Sequence, residues 1–233
     1  MSNFLESSSL ITRIQDIYTA LPPRVCLIAV SKQVPVTLIR QAYALGIRNF
    51  GESRIQEAQA KQAQLLDLPD IIWHFIGRLQ SNKVKAALQQ FSWIHSVDSL
   101  KLAQQLDQIA RQLGKKPNIC LQVKFLEDPN KSGWSVSNLL TSLQELNDFQ
   151  HLQIRGLMTI PPAGLTPQKT LEVFQKNQYL AKQIQEQNWS RIQMQELSMG
   201  MSEDYSLALE AEATMIRLGR ILFGNREAFP KEN

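Results

Sequence analysis

Short apolar runs alternate along this chain with longer stretches in which apolar positions recur every three or four residues. A helix is predicted first, over about Leu5–Ala20. Val25–Val30 then presents an unbroken apolar face on both sides, the pattern of a parallel strand covered above and below. Pro35 opens a helix over Val36–Leu45, and Gly46 ends it. Further strands are predicted at Ile47–Phe50, Ile72–Ile76, Trp93–Val97, Asn118–Val123, Leu152–Met158, Glu196–Ser198 and Thr214–Arg217. Helices fall between them at Ser53–Leu66, Asn82–Gln90, Ser99–Leu113 (capped by Asp98 or Ser99 and stopped by Gly114), Val136–Phe149, Pro167–Gln187 and Glu203–Glu210.

Strands that alternate with helices imply βαβ units and a parallel sheet. Eight β segments in 233 residues predict an α/β fold, a (β/α)8 TIM-type barrel with an extra N-terminal helix. No linker or composition shift divides the chain, so residues 1–233 are expected to form a single domain. A doubly wound open sheet is the competing topology. It would bring a glycine-rich phosphate turn after the first strand, and Ser31-Lys32-Gln33 is no such turn.

Composition narrows the function classes. Apolar residues make up 43% and charged residues 20%, which excludes disordered and fibrous classes. The formal charge of +4 is spread thinly, with no dense, aromatic-interleaved basic cluster to argue for nucleic-acid binding. Met1–Leu10 lacks the basic and apolar regions of a secretory signal, and Val25–Val30, the longest apolar run, is far short of a membrane span. A cytoplasmic protein is expected, with no membrane partner. Cys26 and Cys120 each lie inside an apolar run and read as buried, inert thiols. His74, His95 and His151 lack metal-ligand spacing and read as core or pocket residues.

In a barrel, chemistry gathers where strands end. Lys32 directly follows an apolar strand, so its amine is expected at the barrel mouth. Desolvation there lowers a lysine pKa and exposes a neutral amine able to form Schiff bases, whereas a snorkelling lysine is the plainer reading. The loops after the last two strands offer Ser198, Gly200 and Gly219, with a helix start expected near Ser202. Small residues let backbone N–H groups approach an anion there, or simply serve tight turns. A lysine facing a phosphate cradle suits a ligand with an aldehyde at one end and a phosphate at the other.

Ala29-Val-Ser-Lys32, Asn49-Phe-Gly-Glu52 with Gln56-Glu57, and Trp73-His-Phe-Ile-Gly77 with Leu79-Gln80 and Asn82-Lys83 resemble the pyridoxal phosphate homeostasis protein family. So do His95-Ser-Val-Asp98, Gly156-Leu-Met158, Leu197-Ser-Met-Gly-Met-Ser202, and Arg217-Leu-Gly219 with Phe223-Gly224, in order from about residue 10 to 227. The resemblance implies a barrel similar to that of alanine racemases, which binds pyridoxal 5′-phosphate (PLP) and balances its supply without established catalysis. It places PLP as a Schiff base on Lys32 and Arg217 against the pyridine nitrogen. It assigns the phosphate to Ser198, Met199, Gly219 and Arg220, and the surroundings of the ring to Asn49, His74 and Met158. Apo PLP enzymes or a regulatory protein are the partners it implies.

Two positions depart from the family pattern. Ser53 stands where many relatives carry asparagine, and is left out of the expected site. Glu212 replaces a usual glycine, with an effect expected on a turn only. A weak amino-acid racemase is the alternative. It would need a second base, and Tyr205 is the one tyrosine near the mouth, though it reads as a partly exposed helix residue. The second domain that carries this base in alanine racemases is not expected in the chain. A monomer is expected, since no apolar heptad or unpaired edge calls for a mate.

Overall fold

The computed structural model describes residues 9–128 and 132–224. Eight parallel strands close into a barrel in sequence order: β1 (Cys26–Val30), β2 (Asn49–Glu52), β3 (Ile72–Phe75), β4 (Trp93–Val97), β5 (Asn118–Gln122), β6 (Gln153–Met158), β7 (Ile192–Ser198) and β8 (Met215–Leu218). β1 closes the ring, pairing Val30 with Gly51 of β2 and Ile28 with Arg217 of β8. The helices are α1 (Leu10–Ala20), α2 (Val36–Ala44), α3 (Ile55–Ala63), α4 (Val84–Gln90), α5 (Leu100–Leu113), α6 (Val136–Thr141), α7 (Leu143–Asp148), α8 (Pro167–Gln185), α9 (Tyr205–Glu210) and α10 (Arg220–Phe223). The expected (β/α)8 architecture and the leading extra helix are both present. Arg13 of α1 donates from Nε to the Leu222 carbonyl at 2.7 Å, tying the extra helix to α10.

Local differences have physical causes. α1 begins after Ser9, whose hydroxyl accepts the Thr12 N–H; the predicted stretch Leu5–Ser8 lies outside the described residues. The helix predicted over Val136–Phe149 is two helices, broken where Ser142 adopts φ −95° and ψ −1°. Buried Leu139, Leu143 and Leu146 keep helical spacing across the break, which hid it in the sequence. β2 begins two residues late, at Asn49, and β7 begins at Ile192 rather than Glu196. The helix expected from Glu203 starts at Tyr205, after a turn in which the Asp204 carboxylate accepts the Met201 N–H at 2.6 Å.

Two glycines allow the close approaches that shape the barrel mouth. Gly200 has φ +89°, and a Cβ there would fall 2.6 Å from that of Ala208, so only glycine lets the loop after β7 fold back against α9. A Cβ on Gly77 would sit 2.3 Å from the Ser53 carbonyl, so this glycine brings the loops after β2 and β3 together. Cys120 is fully buried, but Cys26 is only partly so, which corrects the expectation of two buried thiols. Burial still pushes the Cys26 thiol up to about 11, so it stays protonated. No described helix is long and apolar enough to cross a membrane.

Candidate functional site

A cavity of about 480 Å³ opens at the C-terminal ends of the strands, within the size range of small-molecule sites. Val30, Ile76, Ile160 and Met201 give it apolar walls. Lys32, Arg217, Gly219 and Arg220, all expected from the sequence, line it together with Ser53, Ser202, Glu203 and Asp204. Residues from the loops after β1, β2, β3, β6, β7 and β8 thus converge on one space. Lys32 stands two residues beyond the end of β1, on the side of the mouth where that strand meets β2 and β8.

Arg217 sits in β8 and is only 3% exposed. Its Nη1 donates to Ser198 Oγ at 2.7 Å, and its Nη2 to the Thr159 carbonyl at 3.2 Å. Burial pushes the guanidinium down to about 10, with Asp204 pulling the other way. It therefore remains a cation at neutral pH, and none of the described salt bridges includes it.

A thread of side chains runs from Arg217 through the barrel interior. Ser198 Oγ meets His95 Nδ1 at 2.8 Å, His95 Nε2 meets His74 Nδ1 at 2.9 Å, and His74 Nε2 meets Asn49 Oδ1 at 3.0 Å. Both imidazoles are completely buried, which pushes His74 down to about 3 and His95 well below its usual value, so both are neutral. With neutral rings one proton arrangement satisfies every contact. Asn49 accepts from His74 Nε2–H, His74 Nδ1 accepts from His95 Nε2–H, and His95 Nδ1 accepts from the Ser198 hydroxyl. The thread ends at Asn49, the first residue of β2.

Part of the expected site lies off the lining of this cavity. Asn49 and His74 do not line the cavity; they lie along the thread behind Arg217. Met158 is fully buried at the end of β6 and does not line it either. Ser198 accepts from Arg217 and, like Met158, is not among the lining residues. The Met199 N–H is already donated to the Met215 carbonyl at 3.1 Å, and its sulfur accepts from Asn177 Nδ2 at 3.6 Å. Ser53, left out of the expected site, does line the cavity.

Sequence reasoning also missed Asp204, a half-buried carboxyl that burial pushes above its usual range. Tyr205, the tyrosine considered as a base, is not on the lining. The Ser202 hydroxyl accepts the N–H groups of Gly219 and Ile221, both at a long 3.4 Å. An anion seated there would meet two amides already aimed at an oxygen. On the rim, Arg220 pairs with Glu203 in an exposed contact. The signal for Asp204 was present, in the turn after the Met-Gly-Met-Ser loop, but the expected helix start at Glu203 placed it inside a helix.

The family model described as "Alanine racemase, N-terminal domain" matches residues 6–227. A protein named pyridoxal phosphate homeostasis protein from Synechocystis is 50% identical over 211 residues, covering 91% of this chain and 96% of its own length. Its namesake from Pseudomonas aeruginosa is 41% identical over 207 residues, covering 88% of this chain and 86% of its own. The structure of PipY from Synechococcus elongatus with PLP bound superposes with a TM-score of 0.89 at 50% identity, covering 93% of this chain and all of that one. An alanine racemase of Clostridium difficile shares the fold at a TM-score of 0.77 and 16% identity, over 96% of this chain and 60% of that one.

Proposed function

The chain belongs to the alanine racemase N-terminal domain family and is one of its pyridoxal phosphate homeostasis proteins, and from that premise we propose that it binds PLP on Lys32 to buffer or deliver the cofactor. The observation that carries this reading is the shared cavity: Lys32, the Arg217 guanidinium and Gly219 line a space of suitable size, with the Gly219 and Ile221 amides aimed at one hydroxyl, that of Ser202. The Lys32 amine condenses with the aldehyde, releasing water and leaving a Schiff base. The amides of Gly219 and Ile221, now turned to Ser202, receive the phosphate, with Arg220 beside them. Arg217 faces the ring nitrogen as a permanent cation and disfavours its protonation, which weakens the ring as an electron sink. Holding the cofactor therefore fits this residue set better than turning it over.

The visible spectrum of the purified protein, before and after borohydride reduction with peptide mapping, tests the reading. A yellow protein whose reduced pyridoxyl adduct maps to Lys32 is the expected result. A protein that takes up no added PLP overturns it. A weak racemase is the second reading, favoured by Asp204, which puts a carboxyl on the same cavity as Lys32. Exchange of the Cα proton of alanine or serine for deuterium faster than free PLP achieves would support it.

A further inference from the structure

Lys32 occupies the second position of a four-residue turn, Ser31 to Val34, closed by the Val34 N–H donating to the Ser31 carbonyl at 2.9 Å. The third position, Gln33, has φ +60°, a left-handed conformation that disfavours any residue with a side chain. Its side chain is exposed, so packing does not hold it there. The Gln33 N–H is instead donated to Oε1 of Glu57 in α3.

The same Glu57 oxygen accepts from Lys61 Nζ at 2.7 Å. The other two protons of that ammonium go to the Ser31 carbonyl at 2.6 Å and to Glu52 Oε1 at 2.8 Å. Ser31 Oγ donates to Glu52 Oε1 at 2.7 Å. The residue before Lys32 is thus gripped by its hydroxyl and its carbonyl, and the residue after it by its amide. Most of the cluster is buried, with Ser31 and Glu52 fully so and Lys61 6% exposed, while Glu57 keeps 21% of its side chain in solvent. Oε2 of Glu52 has no hydrogen-bond partner among the described residues. Buried charges with an unsatisfied oxygen are a poor way to gain stability, and this cluster touches the backbone on both sides of a single residue of the site.

We propose that Glu52, Glu57 and Lys61 are positioning residues, which aim the Lys32 amine into the cavity by clamping its two chain neighbours. The proposal rests on the reading of Lys32 as the attachment point. Its test pairs Glu57→Ala with the double variant Glu57→Ala/Gln33→Gly, since glycine adopts the left-handed conformation without the clamp. Amide hydrogen exchange in the unliganded full-length chain reads the turn directly. Titration with PLP and its reduced adduct reads the amine, and thermal melting reads global stability.

In Glu57→Ala, exchange at Gln33 is expected to rise and PLP affinity to fall about tenfold. In the double variant the affinity recovers to within about threefold of the original, which a merely structural role would not produce. Unchanged exchange at Gln33 overturns the clamp whether or not PLP binds. Faster exchange with unchanged affinity, or a loss that Gln33→Gly fails to rescue, overturns the link to Lys32. A parent protein that takes up no PLP defeats the functional reading and the link to Lys32 together, while the exchange result still judges the clamp.

Discussion

Two buried cations of this barrel are treated in opposite ways. Lys61, behind β1 and β2, gives its protons to Glu52, Glu57 and a carbonyl, so its charge is matched by carboxylates. Arg217, in β8, is more deeply buried, yet it donates to a serine hydroxyl and a carbonyl, with Asp204 favouring its charge through space. A matched charge is spent inside the protein and fixes backbone. Arg217, held by neutral groups and favoured only through space by Asp204, lines the cavity as a cation. The proposed roles differ accordingly: Lys61 fixes the backbone on either side of Lys32, and Arg217 meets the ligand.

Removing each cation in turn should separate these roles. Lys61→Met strands buried Glu52 and is expected to lower stability by about 3–5 kcal/mol in urea unfolding, part of which Glu52→Gln restores. Arg217→Met should leave the unloaded protein within about 1 kcal/mol of its original stability while weakening PLP binding roughly tenfold to a hundredfold. A large stability loss on Arg217→Met would erase the contrast.

Acid distinguishes the two sides more gently. His74 and His95 are held neutral in the fold but take up protons near pH 6.5 when unfolded. Their contribution is complete above about pH 6.5 and is lost as pH falls below it, by about 1.4 kcal/mol per pH unit for each histidine down to its folded pKa. On the Lys61 side, Glu57 is held below its usual value, so its contribution persists until pH falls through the carboxylate range; Glu52, pushed up by burial, works the other way. Stability curves of the parent and of His74→Gln between pH 7 and 4 check this. A parent curve that is flat down to pH 5 would mean that the thread is not neutral.

The barrel itself was legible because strand and helix periods differ and alternate without interruption. Lys32, Arg217, Gly219 and Arg220 were legible because each sits at or just after a strand end, where the architecture places function. The clamp was not. Glu57 and Lys61 are four apart on one helix and read as an ordinary surface pair, while their backbone partners Ser31 and Gln33 are more than twenty residues away. Asn49 and His74 carry family motifs, but a motif marks that a residue matters without saying which side chains it meets. Glu212 shows the converse: its φ of +59° explains why glycine suits that turn, a point the sequence alone could state only as a departure.

The proton order along the Arg217 thread has one last consequence. A row of hydroxyls and imidazoles can usually be filled with protons in two senses, as in ice, and the mixture of senses cancels its polarity. Here a guanidinium that can only donate stands at one end and an amide oxygen that accepts stands at the other, so one sense survives. Every dipole in the row then points the same way, with lone pairs toward the cation. Arg217 is hydrated, in effect, by a frozen file of side chains that stabilises its charge without cancelling it.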